Sequence, residues 1–350
     1  MVIQDVLKDA VLKDASDIHV TVGLPVTARI NGKLVYLTDE KLTPQDTESF
    51  IKSVLNEQQL SVCDEKGEVD LSTTINDEYR FRVNAFKQKN HYAAAFRYIK
   101  SEILDFSKLK LPPAIRDLCA KRRGLILVTG PTGSGKSTTL AAMIDYMNSR
   151  RDEHIITLED PIEFIHDHKK SIVNQREMGQ DSNNYAAALR AALRQDPDVI
   201  LIGEMRDLET ISTAITAAET GHLVLSTLHT IGAAKTIDRI IDVFPPHQQQ
   251  QVKVQLSMVL QAVVSQQLIP STKGGRVAAF EVMITTPAIQ NLIREGKTPQ
   301  INNTIATSAS SGMISMDAAI AQLYKSGLIS MEDALNYGVD KEMLQKLLRY

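Results

Sequence analysis

The sequence predicts an α/β protein with two domains, a small α+β domain in residues 1–110 and a larger α/β domain in residues 111–350. Two observations lead to this prediction. Short runs with alternating polar and apolar residues fill about the first hundred positions, whereas continuous apolar runs and helical stretches follow Pro112 and Pro113. Alternation is typical of antiparallel strands with one face in water, and continuous apolar runs are typical of parallel strands covered on both faces. From about residue 287 the pattern is only helical, so we expect a helical subregion over 287–350.

The smaller domain is expected to combine an antiparallel sheet with helices. Residues 1–17 mix apolar and charged side chains without the apolar stretch of a signal peptide, which predicts an amphipathic helix of the mature protein. One further helical segment is predicted after Thr43 and Pro44, which suit an N-cap and a first helical position. The predicted strands are SDIHV, VTARING, KLVYL, EVDLSTTI, YRFRVNAFKQ and HYAAAFRYI.

The larger domain is expected to contain a parallel sheet. The predicted strands are the apolar runs LILVT, HIITL, DVILI and HLVLS. The predicted helices between them are TTLAAMIDYMNS, YAAALRAALRQ and LETISTAITAAE. Strand followed by helix, repeated, is typical of a doubly wound α/β domain.

Composition excludes several classes of protein. Hydrophobic residues make up 43% and charged residues 23% of the chain, which is the balance of a globular protein. The net charge of −3 disfavours nucleic-acid binding over the whole surface, and no stretch approaches the roughly 18 apolar residues of a membrane span. Cys63 and Cys119 are too few and too far apart for a disulfide framework or a zinc site. We therefore expect a cytoplasmic protein with no nucleic-acid partner and no direct membrane insertion.

The strongest motif is a phosphate-binding loop. Gly130, Gly135, Lys136 and Ser137 match the pattern G-x-x-x-x-G-K-[ST], between an apolar run and a helical stretch, as its mechanism requires. The loop amides are expected to face the phosphates, Lys136 to neutralise their charge and Ser137 to bind Mg²⁺. This predicts ATP and Mg²⁺ as ligands. The expected nucleotide-binding residues are Thr132, Gly133, Ser134, Gly135, Lys136, Ser137 and Thr138.

Carboxylates follow two of the apolar runs. Ligands of open α/β sheets bind beyond the carboxyl ends of the strands, so residues at these positions are candidates for chemistry. Glu204 is expected to act near Mg²⁺ as a Walker B residue, and Glu163 is expected to position the attacking water. For either Glu159 or Asp160 alone, a helix cap or a surface turn is as good an interpretation as chemistry.

Two histidines flank the fourth apolar run. If His222 and His229 lie at opposite ends of one strand, about 23 Å separates them, so a shared metal is not expected. His229 lies at the nucleotide end, where it is expected to sense the γ-phosphate. For His222, a hydrogen-bonded structural histidine is a serious alternative to a functional role.

Several segments together resemble one protein family. GPTGSGKSTT, TLEDPIEF, DPDVILIGEMRD and TGHLVLSTLHT are similar to the Walker A, Asp, Walker B and His boxes of the type II/IV secretion ATPases. KTIDRIIDVFP and SDIHVTVGLP resemble the branch that retracts type IV pili, the PilT family. The resemblance implies a PAS-like N-terminal domain and a RecA-like P-loop ATPase domain. It also implies a homohexamer that hydrolyses ATP to retract pili in twitching motility, with an inner-membrane platform protein of the pilus machinery as partner.

The resemblance also implies arginines that act on the nucleotide of a neighbouring subunit. Candidates in RFRVNAF and AFRYI are Arg80, Arg82 and Arg97, of which Arg82 and Arg97 rank first and are expected to be catalytic. The alternative for each is a solvated arginine on an exposed strand face.

Pilus-assembly and type II secretion ATPases share the same boxes and are the main alternative. Those relatives typically carry a four-cysteine zinc site and a longer N-terminal region, whereas Cys119 is the last cysteine here, which favours retraction. The segment AIQNLIRE resembles a helix linked to retraction, with Gln290 in place of an arginine. A nucleotide-dependent scaffold that does not hydrolyse ATP is a further alternative. It predicts loss of Lys136, Glu163 or Glu204, and all three are present.

Overall fold

A computed structural model describes residues 3–75, 78–99 and 102–349 of the chain. The chain forms two compact units, each with its own β-sheet. The first unit comprises Met1–Glu102 together with Pro161–Ile165, and the second comprises Ile103–Asp160 together with His166–Tyr350. The predicted mixed α/β fold is confirmed in the form of these two sheets and their helices.

The first unit combines three helices with an antiparallel sheet in the part of the chain that the structure describes. Its strands are β1 (Ala15–Val20), β2 (Thr27–Ile30), β3 (Lys33–Tyr36), β4 (Glu68–Ile75), β5 (Tyr79–Gln88) and β6 (His91–Ile99). Its helices are α1 (Ile3–Leu12), α2 (Pro44–Val54) and α3 (Glu57–Lys66). The strand order is β3-β2-β1-β6-β5-β4, and each predicted strand of this unit is present.

Local sequence explains the helices of the first unit. Helix α1 buries Ile3, Val6, Leu7 and Ala10, which confirms the predicted amphipathic helix. Thr43 and Asp46 form a capping box at the start of α2. The prediction of a single helical segment here was wrong, because the Asn56 side chain accepts the Gln59 N–H and starts a second helix, α3.

The second unit has a larger sheet. Its strands are β7 (Gly124–Thr129), β8 (His154–Glu159), β9 (Ile172–Glu177), β10 (Val199–Ile202), β11 (Leu223–Leu228), β12 (Leu260–Pro270) and β13 (Arg276–Ile284). The helices before β12 are α4 (Pro113–Leu118), α5 (Lys136–Asn148), α6 (Tyr185–Ala192), α7 (Leu208–Glu219), α8 (Ala233–Asp242) and α9 (Pro246–Val259). The helices after β13 are α10 (Pro287–Glu295), α11 (Ile301–Thr307), α12 (Met316–Lys325), α13 (Met331–Tyr337) and α14 (Lys341–Arg349).

The sheet of the second unit has the order β13-β12-β7-β11-β10-β8-β9 among the described residues. The predicted strands β7, β8, β10 and β11 are parallel and adjacent, as expected. Strands β9, β12 and β13 were not predicted. The run IVNQRE of β9 is mostly polar, and β12 directly continues the helix α9, so neither shows the isolated apolar run that marks the other strands.

The central strand β7 is covered on both faces. Leu125 and Leu127 pack into the apolar cluster that includes helices α6 to α9, whereas Ile126 and Val128 pack into the cluster that includes α4 and α5. The successive side chains of a strand point to opposite faces, so each face needs its own apolar set. This explains why the run is continuously apolar.

Both ends of β7 lie against β12. A Cβ atom at Gly124 would lie 2.6 Å from Gln261 Cγ, and one at Gly130 would lie 2.2 Å from the Gln266 carbonyl oxygen. Both glycines have positive φ, 108° and 143°. Each position therefore requires glycine for two independent reasons.

The helices that the structure describes have at most 14 residues, fewer than the roughly 20 of a transmembrane helix. Across residues 3–75, 78–99 and 102–349, none of them has the length and apolar character needed to cross a bilayer.

Candidate functional site

The phosphate-binding motif forms the turn between β7 and α5. Strand β7 ends at Thr129, the loop follows, and α5 begins at Lys136. Gly135 is the N-cap of α5 with φ 87°, and as a glycine it offers no capping side chain to the first helical N–H groups. The first turn of α5 contains no acidic residue. Such a helix start is an anion site, because its N–H groups and the helix dipole both favour negative charge.

The predicted nucleotide-binding side chains follow this turn. Lys136 is buried, and its ammonium group donates to the carbonyl oxygens of Gly130 at 2.9 Å and Pro131 at 3.0 Å. The ammonium group is therefore held against the loop backbone. Ser134 is buried, Ser137 and Thr138 are half-buried, and Thr132 and Gly133 are exposed.

Gln266 of β12 contacts the loop and the start of α5 through its side chain. The sequence did not indicate this residue. The Thr139 hydroxyl donates to Gln266 Oε1 at 2.8 Å, and both residues are buried. A Cβ atom at Gly135 would lie 2.9 Å from Gln266 Nε2. Because β12 was not predicted, no sequence signal connected Gln266 with a loop more than a hundred residues earlier.

Glu204 and His229 meet beyond the ends of β10 and β11. The Nε2 atom of His229 lies 3.1 Å from Glu204 Oε2, and its Nδ1 atom lies 3.5 Å from the Thr132 hydroxyl. If the Nε2 proton is donated to the carboxylate, Nδ1 accepts from Thr132. The structure thus connects three predicted site residues in a chain from the end of β10 to the phosphate-binding motif.

Glu204 also has a cationic neighbour. Its Oε1 atom pairs with Arg206 Nε, and the carboxylate is mostly buried while the arginine is exposed. Asp207, which also follows β10, has a structural role, since it caps α7 by accepting the Thr210 N–H at 2.8 Å.

Tyr185, at the start of α6, is a site residue that sequence reasoning missed. A Cβ atom at Gly203 would lie 2.8 Å from its hydroxyl oxygen, so the ring reaches the residue directly before Glu204. Burial raises the pKa of the Tyr185 hydroxyl, and the nearby carboxylates of Asp160, Glu204 and Glu159 raise it further. The hydroxyl is therefore a neutral group beside a set of acids. A lone tyrosine in an alanine-rich helix gave no signal of this.

Glu159 lies in a polar network at the end of β8. Its Oε1 atom accepts from the Thr157 hydroxyl at 2.6 Å and from Gln175 Nε2 at 3.2 Å. The side chain of Gln175 also accepts the backbone N–H of His166 at 2.8 Å. The side chain of His166 is buried, which lowers its pKa from 6.5 to about 4.

Glu163, the predicted water-positioning base, belongs to the segment Pro161–Ile165 of the first unit and is exposed. Arg80 anchors this segment, since its Nε donates to the Ile162 carbonyl oxygen at 3.1 Å and its NH2 to the Ser72 hydroxyl at 2.7 Å. Arg80 thus acts in the first unit as a support for the segment that carries Glu163.

Arg82 and Arg97 are cross-strand partners on β5 and β6 of the first unit. They share one face of the sheet, where Arg97 also lies opposite Asp17 and forms an ion pair with it at 2.9 Å. Both arginines are exposed. Cross-strand partners carry their side chains on the same face, so Arg82 lies beside the ion pair of Arg97 and Asp17.

His222 lies at the opposite end of β11 from His229. Its Nδ1 atom is 2.9 Å from the Ala217 carbonyl oxygen and 3.2 Å from the Thr220 hydroxyl. This is the hydrogen-bonded structural histidine that was one of the two interpretations of the sequence.

Comparison with known proteins gives four findings. A family model described as type II/IV secretion system protein matches residues 1–335. The chain is 49% identical over 334 residues to the type IV pilus retraction ATPase PilT of Pseudomonas aeruginosa, covering 95% of this chain and 97% of that protein. It is 48% identical over 317 residues to a twitching motility protein of Neisseria gonorrhoeae, covering 90% and 85%. A crystal structure of the pilus retraction motor PilT with bound ADP matches with a TM-score of 0.94 and 50% identity, covering 99% of each chain.

Proposed function

The chain belongs to the type II/IV secretion system protein family, and on this premise we propose that it is an ATP-hydrolysing motor that powers the retraction of type IV pili. One observation carries the proposal. The hydrogen-bonded chain of Glu204, His229 and Thr132 joins the Walker B strand to the phosphate loop. Such a chain connects the carboxylate proposed to hold Mg²⁺ with the loop proposed to bind the phosphates, so a change at the phosphates can reach the end of β10.

The residues of the second unit fit ATP with Mg²⁺. The loop amides and the start of α5 bind the phosphates, and Lys136 neutralises their charge. The Ser137 hydroxyl and the Glu204 carboxylate are hard oxygen donors of the kind that Mg²⁺ prefers, so these two residues would hold the ion. When bound, Mg²⁺ supplies charge stabilisation on the phosphate oxygens. The proposed nucleotide-binding residues remain Thr132, Gly133, Ser134, Gly135, Lys136, Ser137 and Thr138.

Glu163 is proposed as the base that positions water, and His229 as the sensor of the γ-phosphate. Glu159 is a weaker candidate for the base, because Thr157 and Gln175 already donate to its carboxylate. An exposed carboxylate such as Glu163 keeps acceptor capacity for a water molecule.

The proposed assembly is a cytoplasmic homohexamer whose subunits have a PAS-like domain in residues 1–110 and a RecA-like domain in residues 111–350. In such a ring, Arg82 and Arg97 act on the nucleotide of a neighbouring subunit. The cross-strand positions of Arg82 and Arg97 support this role, because both arginines are exposed and a developing phosphate charge needs a cation. The ring works on an inner-membrane platform protein of the pilus machinery.

Mixing two inactive variants tests the role in trans. Arg97→Ala and Glu163→Gln are each expected to abolish ATP turnover. Mixing the two variants should restore part of the turnover, because at a mixed interface the Glu163→Gln subunit supplies Arg97 to a neighbour that retains Glu163. Light scattering confirms that rings form in every sample. Rings without any rescue would show that Arg97 acts within its own subunit.

Deleting the gene in its host tests retraction against the alternatives. Retraction predicts an excess of surface pili together with lost twitching, whereas a pilus-assembly or secretion ATPase predicts bald or secretion-deficient cells. Complementation with Glu163→Gln, which should bind ATP without hydrolysing it, separates the motor from a nucleotide-dependent scaffold. A motor needs hydrolysis, so this variant should not restore twitching, and restored twitching would contradict the motor.

A further inference from the structure

Glu281 is a buried carboxylate that holds the starts of two different helices. It lies on β13 with only 7% of its surface exposed. Its Oε1 atom accepts the Ala233 N–H, the first of α8, at 2.8 Å. Its Oε2 atom accepts the Met316 N–H, the first of α12, at 3.3 Å. One side chain therefore joins the starts of two helices, and these starts are more than eighty residues apart in the sequence.

Helix α8 depends on this contact because its own N-cap has no side chain. The N-cap is Gly232, so the first N–H groups take their acceptors from the sheet. Ser265, the cross-strand neighbour of Glu281, accepts the Gly232 N–H at 2.9 Å. The loop that these two side chains hold begins at His229, only four residues before α8.

Helix α12 is tied to the same strand at its start. Val282 and Ile314 exchange two backbone hydrogen bonds, of 2.9 and 3.2 Å, directly beside Glu281. In the first turn of α12, the buried Asp317 accepts the N–H groups of Val339 and Asp340 at 2.8 and 3.0 Å. The start of α12 is therefore the point where the C-terminal helices join the sheet.

Only a carboxylate can make both helix contacts of Glu281. Each of its two oxygens accepts one N–H, and a glutamine in the same place would present one acceptor and one donor. Burial raises the pKa of Glu281, while its two N–H donors oppose that rise. The fold therefore keeps a carboxyl group at a position where burial disfavours its charge, and an apolar residue would avoid this cost.

We propose that Glu281 is a positioning residue that couples the His229 loop to the C-terminal helices. Movement of the His229 loop moves the start of α8, and Glu281 transmits this movement to the start of α12. The inference rests on the proposed role of His229 in sensing the γ-phosphate. It adds to that role a path by which the nucleotide state reaches the C-terminal helices.

A double-mutant cycle tests whether Glu281 acts through His229. Glu281→Gln is expected to lower kcat about tenfold with little change in KM, since small misplacements of a catalytic group can cost about a hundredfold. In the His229→Ala background, Glu281→Gln should lower kcat only slightly further, because its effect on kcat depends on the His229 ring, which is absent there. Glu153→Gln is the matched control, the same change at a second buried glutamate, whose carboxylate pairs with Arg151. Its effect should be the same in both backgrounds.

Hydrogen exchange measures the coupling without relying on catalysis. In the wild type, adding Mg²⁺ and ADP should slow amide exchange at the starts of α8 and α12 together. In Glu281→Gln only α8 should respond. Ser265→Ala, which removes an acceptor of the α8 start and leaves α12 untouched, should weaken the α12 response and provides a test if Glu281→Gln does not fold.

The outcomes separate this inference from the proposed function. An α12 response that is unchanged in Glu281→Gln, or absent in the wild type, overturns the coupling even when the wild type hydrolyses ATP normally. Additive effects of Glu281→Gln and His229→Ala on kcat likewise overturn it. A wild type that binds ADP and shows the coupled exchange, but does not hydrolyse ATP, supports the coupling and contradicts the motor.

Discussion

Gly203 separates β10 from Glu204, and a side chain at this position should displace the carboxylate. A Cβ atom there would lie 2.8 Å from the Tyr185 hydroxyl oxygen and 3.3 Å from the Leu158 carbonyl oxygen. Ordinary contact begins at 3.4 Å, so the hydroxyl and the new methyl group must separate by about 0.6 Å. Because a shift of about 1 Å can cost about a hundredfold in rate, we expect Gly203→Ala to lower kcat roughly tenfold.

The tyrosine provides a test by rescue. Tyr185→Phe removes the clashing oxygen and keeps the ring, so Gly203→Ala should cost only about threefold in that background, where the Leu158 contact remains. Steady-state ATPase rates of the wild type, both single variants and the double variant measure this difference. Tyr146→Phe, which removes a hydroxyl elsewhere in the second unit, is the control and should give no rescue. An equal cost of Gly203→Ala in every background refutes the steric reasoning, and a normal rate in Gly203→Ala refutes the dependence on Glu204 position.

Three further predictions concern single side chains. Lys136→Ala should lower ATP turnover by at least about a hundredfold with the circular dichroism spectrum unchanged, and normal turnover would contradict the phosphate-loop assignment. Glu163→Gln should still bind ATP in equilibrium dialysis yet hydrolyse it at least about a hundredfold more slowly, and a normal rate would transfer the role of the base to Glu159. Burial lowers the pKa of His166 from 6.5 to about 4, so between these values the unfolded chain binds a proton that the folded chain does not. Stability should therefore fall by about 3 kcal/mol as the pH drops through this window. Calorimetry at neutral pH and at about pH 5 measures how far Tm falls between the two. His166→Phe should make this fall smaller, and the exposed control His247→Asn should leave it unchanged.

The parts that the sequence predicted share a physical cause. The runs of β7, β8, β10 and β11 are apolar on both faces, and such runs are distinct from any helical pattern. Gly135, Lys136 and Ser137 were found because a phosphate loop needs fixed residue types at fixed spacing. In these cases the local sequence alone carries the constraint.

The parts that the sequence did not predict depend on tertiary contacts. The role of Gln266 exists only because β12 pairs with β7. Tyr185 reaches Gly203 through the packing of α6, and Arg80 reaches Ile162 from a strand eighty residues away. Nothing in the residues around each position specifies its partner. Likewise, the mostly polar run of β9 forms a strand because β8 offers it hydrogen bonds, and β12 pairs with β7 and β13 although it directly continues the helix α9.

The close approach of both ends of β7 to β12 has a consequence for strand alignment. A strand that is apolar on both faces would lose little hydrophobic burial by sliding one residue, since every side chain would still enter a core. Gly124 and Gly130 remove this freedom. A slide would bring a side chain against the β12 backbone, where even a methyl group at Gly130 would lie 2.2 Å from an oxygen. The two glycines therefore fix the register of β7 against β12. The phosphate loop begins at Gly130, so the same contact fixes where the loop starts.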